Sequence, residues 1–122
     1  MKNVKKIEWI LRIGVAGEFL GHGLLAVEGK GDWIKWISQM IHIDTPTATT
    51  LLLIIGIIDV ALAILILVRP VRPLLLWMAV WGFWTALVRP LVGVGWLDFI
   101  ERFANWAAPL ALYYLLDDKK NS

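Results

Sequence analysis

Cysteine is absent from this chain of 122 residues, which excludes disulfides, thiolate metal sites and cysteine nucleophiles and leaves the redox compartment unmarked. Charge is also scarce. Asp, Glu, Lys and Arg together make up 18% of the residues, against about 25% in soluble domains. The formal net charge is only +2, and the basic residues cluster at the ends of apolar runs, so a nucleic-acid partner is not expected. Imidazole is limited to His22 and His42. With no H-x-x-H, C-x-x-C-H or other ligand-spaced cluster, no metal site is expected, and a haem would have to take one of these two histidines axially. A phosphate loop is missing too: the GEFLGHG stretch from Gly17 to Gly23 lies inside an apolar run and lacks the strand and lysine that phosphate chemistry needs.

Apolar residues dominate instead. They form 59% of the chain, with eight Trp and a mean hydropathy of +0.70. The composition is that of an integral membrane protein. A spanning helix needs about 20 mostly apolar residues, and the pattern predicts four: Ile7 to Val27, Thr45 to Val68, Arg72 to Val88 and Trp96 to Leu116. The breaks fall at Gly29-Lys30-Gly31, at Arg69-Pro70-Val71-Arg72-Pro73, and at Arg89-Pro90 followed by Gly93 and Gly95. Asp98 and Glu101 form a D-x-x-E pattern expected to cap the fourth span. Between the first two spans, Asp32 to Ile43 is too short to cross, yet Trp33, Trp36, Ile37, Met40 and Ile41 share one helical face. That predicts an amphipathic helix lying in the headgroup region, with an irregular loop over the bundle as the alternative. The expected fold is therefore an all-α, single-domain, four-helix membrane bundle.

Basic residues set the expected orientation. Lys2, Lys5, Lys6, Arg69, Arg72, Lys119 and Lys120 would share one side, against Lys30, Lys35 and Arg89 on the other, so both termini are expected in the cytoplasm of a multi-pass protein of the cell (inner) membrane. The first span is expected to begin the mature chain, since a cleavable signal has a shorter apolar core, no central acid and a small-residue cleavage site.

Several polar residues interrupt the spans. An unpaired charge at the bilayer centre costs roughly 2.5–3.5 kcal/mol on insertion scales, so these groups are expected to face protein or water. In this orientation Glu18 lies near the midplane, His22 one turn further out, and Arg89, Glu101, Arg102 and Asn105 at a similar outer depth. Glu18 and His22 are i,i+4 neighbours, as are Glu101 and Asn105. Pro109 cannot donate to the Asn105 carbonyl, which leaves that oxygen free for another contact. These six residues are candidates to bind a ligand or carry protons; the competing reading has them only fixing helix register through ion pairs and hydrogen bonds. Gly17 and Gly21 form a GxxxG pair expected to seat a neighbouring helix. Asp59, flanked on its face by Gly56 and Ala63, is a secondary buried acid, and Glu8 lies four residues before Arg12 as a partner for it. Trp77, Trp81 and Trp84 make a stripe along the third span, with Trp106 beside them in the fourth; they are packing filler or the aromatic lining of a ligand site.

Two short motifs resemble a known family. Arg12-Ile13-Gly14, then Phe19 and Gly21-His22-Gly23, resemble the opening helix of DoxX-like membrane proteins, and Gly56-Ile57-Ile58-Asp59 resembles that family's G-x-x-E motif with Asp in place of Glu. The four-span layout agrees. The resemblance implies a small four-helix bundle associated with membrane redox systems, in a family that includes a subunit of a thiosulfate:quinone oxidoreductase. The Trp-rich segment between the first two spans and the Glu101-Arg102-Phe103-Ala104-Asn105-Trp106 stretch depart from the pattern and argue against the thiosulfate reaction itself. The residues themselves suit a quinone- or lipid-sized molecule, since such a site needs an apolar slot, a hydrogen-bond donor and a proton carrier. A redox accessory subunit binding quinone is the leading expectation, without catalysis of its own. A scaffold subunit or homo-oligomer with no ligand, and proton-coupled transport by an oligomer, are the alternatives.

Overall fold

The computed structural model describes residues 2–121, with side chains through Asp118, so Lys119 and Lys120 of the orientation argument lie outside the described side chains. It is all-helical. The order is α1 (Val4–Val27), α2 (Gly31–Ile41), α3 (Thr45–Val68), α4 (Arg72–Leu91), α5 (Trp96–Glu101) and α6 (Ala104–Asn121). Three helices, α1, α3 and α4, are long and apolar enough to cross a membrane. The region expected to be a fourth continuous span from Trp96 is instead broken. At Arg102 and Phe103 the amides bond to the carbonyls of Phe99 and Ile100, three residues back, which tightens the chain into a turn before α6 starts. The expected Asp98–Glu101 cap is not used, because α5 already begins at Trp96 behind Gly95.

Local chemistry explains the other boundaries. Asp44 caps α3 by accepting from the Thr47 amide at 3.1 Å, and Pro46 occupies the first turn, where no amide donor is needed. Hydrogen bonding from Thr47 holds the Asp44 carboxyl below its ordinary range, so this cap is complete at neutral pH and is lost as acid protonates it. The helix α4 runs through Pro90 to Leu91, three residues beyond the expected Val88, and so carries Arg89 in its last turn.

The four long helices are arranged α3, α1, α6, α4 in space: α1 packs on α3 and on α6, and α6 on α4. Although α3 and α4 follow one another in sequence, they make little direct contact. A core of Val15, Phe19, Leu62, Ile66, Leu75, Met78 and Leu112 fills the half of the bundle nearest the chain termini. Arg72 of α4 and Asp117 of α6 pair at 2.8 Å at the same end. Towards the opposite, far end, a cavity separates α3 from α4.

Close approach of α1 and α3 depends on Gly23 and Gly56. A Cβ on Gly23 would sit 2.8 Å from the Gly56 carbonyl oxygen, and one on Gly56 would sit 2.7 Å from that of Gly23. The expectation for Gly17 and Gly21 is overturned. Both are exposed, with nothing within 4 Å of a built Cβ, because they lie on the side of α1 opposite its buried stripe of Val15, Phe19, Gly23 and Ala26. Gly17→Ala and Gly21→Ala are accordingly expected to leave the melting midpoint unchanged or to raise stability by up to about 1 kcal/mol through helix propensity. Gly23→Ala is expected to lower it, and thermal melts in detergent check the contrast.

Candidate functional site

A cavity of about 270 Å³ lies between α3 and α4, reaching from the middle of the bundle to the far end. Its walls are Leu51, Leu52, Ile55 and Asp59 from α3 and Trp81, Trp84, Thr85, Val88 and Arg89 from α4, with His22 and Ala26 of α1 behind. Trp33, Trp36, Ile37, Met40 and Ile41 of α2 form the roof. The sequence put these five residues on the apolar face of an amphipathic helix; in the structure that face covers the cavity. Trp84 stays 40% exposed at the rim, where the gap between α3 and α4 faces outward.

Aromatic contacts fasten the roof. The Trp33 ring centroid lies 5.6 Å from that of His22, and the Lys30 ammonium lies 4.8 Å from the Trp33 ring centroid. The Arg89 guanidinium lies 5.3 Å from the Trp36 ring centroid, within cation–π range. Arg89 also donates to the Thr85 carbonyl at 2.6 Å and is only 5% exposed. One turn of α4 thus both walls the cavity and holds the far end of its roof. On either side of α2 the backbone turns through left-handed residues, Gly29 at φ 78° and His42 at φ 55°, which lets a short helix fold across the bundle. His42 itself is exposed and lies off the cavity wall.

Deep in the cavity the chemistry changes sign. Asp59, 5% exposed, lines the wall near the middle of α3, and Glu18 of α1 is close enough to feel its charge. The cavity therefore has an acid at its buried end, a guanidinium and an imidazole under its roof, and indole rings between. Among the described residues, no three His, Cys, Asp or Glu side chains converge as a metal site.

Of the six ligand-binding candidates, the structure places His22 and Arg89 on the cavity wall and Glu18 near its buried end. Glu101, Arg102 and Asn105 do not line the cavity, although the charges of Arg102 and Glu101 reach Arg89 and that of Arg102 reaches His22. Glu101 is exposed and sits 4.0 Å from Arg102 in the turn between α5 and α6. Asn105 packs through its backbone carbonyl against Gly82 of α4. Among the aromatic candidates, Trp81 and Trp84 line the cavity and Trp77 stacks on Trp81 at 5.6 Å. Trp106 instead joins Phe83, Phe99 and Phe103 in a cluster that folds α5 onto α4. Trp33 and Trp36, read from the sequence as headgroup anchors, are cavity residues. Their spacing shows the apolar face of α2 but not what that face covers.

Comparison with known proteins adds no relative: no family model matches the chain, and no curated protein or solved structure matches it.

Proposed function

We propose that the protein is a four-helix membrane bundle, with both termini cytoplasmic and α2 lying at the outer interface, that holds a flat membrane-soluble molecule of quinone or lipid size in the cleft between α3 and α4. The observation that carries this reading is the cleft itself: an apolar cavity, walled by indole rings and opening sideways, where α3 and α4 would otherwise be free to pack. An empty space of this size lined by Leu, Ile and Trp is costly to leave in a bundle, since its walls lose packing contacts. A hydrocarbon-soluble occupant restores them. The resemblance to DoxX-like proteins supports a quinone as the occupant and work as an accessory subunit of a membrane redox complex.

Mass spectrometry of the organic extract tests this. Protein purified from native membranes should carry a stoichiometric ring-bearing lipid or quinone, and Trp84→Leu should lower that content severalfold while the helical circular dichroism persists. Extracts of wild type and variant that match the bulk membrane would overturn the reading. Orientation is tested separately in this cysteine-free chain: a cysteine at Asn3 should be protected from an impermeant thiol reagent in intact cells, and one at Gly31 should label. Labelling at Asn3 would reverse the topology.

A further inference from the structure

Arg89 carries a charge that the fold does not balance. Its side chain is only 5% exposed and lies on the cavity wall beneath α2. A guanidinium stays protonated throughout the physiological pH range and offers five N–H donors. Among the described residues, only its Nη1 has an acceptor, the Thr85 carbonyl, and no carboxylate forms an ion pair with the group. Nε and Nη2 make no hydrogen bond there, and neither is sealed off by surrounding atoms. The Trp36 ring offsets part of the charge but supplies no oxygen to accept these donors. Asp98 and Glu101 act on Arg89 from further off, and Arg102 opposes them. His22, on the same wall, makes no hydrogen bond with the described residues and lies within reach of the charges of Arg89, Arg102 and Lys30. The carboxyls of Asp59 and Glu18 sit at the other, buried end. A buried cation without a counter-ion is among the costliest groups a spanning helix can carry.

We infer that the cleft selects an acidic lipid, a carboxylate or phosphate on a hydrocarbon body, and seats the anionic group at Arg89 and His22 beneath α2 with the apolar body along Trp81 and Trp84. The inference rests on the cleft being a ligand site, as proposed above, and names the class of its occupant. An anion at Arg89 supplies the missing counter-charge and accepts from Nε and Nη2, the paired geometry in which a guanidinium holds a carboxylate or phosphate. His22 can add a further donor. A neutral group of the same shape accepts hydrogen bonds there but leaves the charge unbalanced. Entry in the reverse sense would bring the anion against Asp59 and Glu18 and leave Arg89 unpaired, so the polarity of the cavity sets orientation as well as class. The sideways opening at Trp84 admits hydrocarbon, which makes a membrane lipid the source rather than a small water-soluble anion. A quinone in the same place would offer Arg89 a neutral carbonyl, held more weakly than a carboxylate.

Two anthracene probes of nearly identical shape separate charge from fit: anthracene-2-carboxylate and anthracene-2-carboxamide. The full chain in nanodiscs of zwitterionic phosphatidylcholine is titrated with each at mildly alkaline pH, where the acid is ionised. Saturable energy transfer from the tryptophans to the anthracene ring reports binding, with affinities referred to probe dissolved in the lipid of protein-free discs. The carboxylate is expected to bind about tenfold or more tightly than the amide, the size of effect that a charge-assisted hydrogen bond produces. In Arg89→Gln this preference should shrink to about twofold or less, and in Arg89→Lys, which keeps the charge without the fork, it should survive in part. Myristate in excess should displace the carboxylate probe and acetate at the same concentration should not; displacement by acetate would overturn a lipid as the source. Equal binding of the two probes by the wild-type protein would overturn anion selection and leave the cleft as a ligand site. An undiminished preference in Arg89→Gln would overturn Arg89 as the seat. Absence of saturable transfer from either probe would overturn both the inference and the reading beneath it. The wild-type comparison stands without the variants, so a poorly folded Arg89→Gln protein does not blunt the test.

Discussion

Arg12→Ala is expected to cost the bundle about 3–5 kcal/mol, the range found when one partner of a buried ion pair is removed. Arg12 is 7% exposed and meets four groups at once. Its Nη1 pairs with Glu8 at 3.2 Å, its Nε donates to the Ile66 carbonyl at 2.9 Å, its Nη2 donates to the Leu67 carbonyl, and its guanidinium covers the Trp9 ring at 3.8 Å. The carbonyls of Ile66 and Leu67 belong to the last turn of α3, where no intrahelical donor follows. A cation at that end of the helix also meets the negative pole of its dipole. Truncation would open two carbonyls at the end of α3 and take one partner from the buried Glu8 carboxylate. Lysine keeps the charge but lacks the planar fork, so Arg12→Lys should recover only part of the loss. Unfolding in mixed micelles followed by circular dichroism measures both, and an Arg12→Ala midpoint equal to wild type would show that water or lipid headgroups already satisfy these groups.

Gly82→Ala is the smallest substitution expected to separate two helices. A Cβ at Gly82 would overlap the backbone carbonyl of Asn105, and a carbonyl in a helix has no rotamer into which it can withdraw. That carbonyl is available for so close a contact because Pro109, four residues on, has no amide hydrogen to bond it. The expected cost is at or above the upper end of the ~1–3 kcal/mol typical of overpacking. Loss should appear as separation of α4 from α6, read as an increased distance between spin labels at Val80 and Ala111. Gly17→Ala on the open face of α1 is the matched control. Equal midpoints for the two variants would contradict the packing of α6 on α4.

The same comparison shows what a linear sequence reveals. Hydropathy locates α1, α3 and α4 within a few residues, because span length is a local property. The break at Arg102 is not visible, since it is accompanied by packing of Phe99, Phe103 and Trp106 on Phe83 of another helix. Asp59, His22 and Arg89 each stand out as polar residues in apolar surroundings. Their meeting around one cavity depends on α1 and α6 lying between α3 and α4 in the spatial order of the bundle, and periodicity within a helix carries no information about that order. Likewise, the face of α2 is legible and its target is not. Gly17 and Gly21 mislead for a related reason: their GxxxG spacing recurs wherever small residues align, whereas the helix contact at Gly23 and Gly56 pairs single glycines on two different helices.

The most direct measurement is a crystal structure of the protein purified from native membranes and grown in a lipidic mesophase. The account predicts α3 and α4 apart at the far end, α2 fastened over them through Trp36 and Arg89, and continuous ligand density from Trp84 inward to Asp59. Helices α3 and α4 packed together, with Leu52 and Ile55 against Trp81 and Trp84 and no space between them, would contradict it.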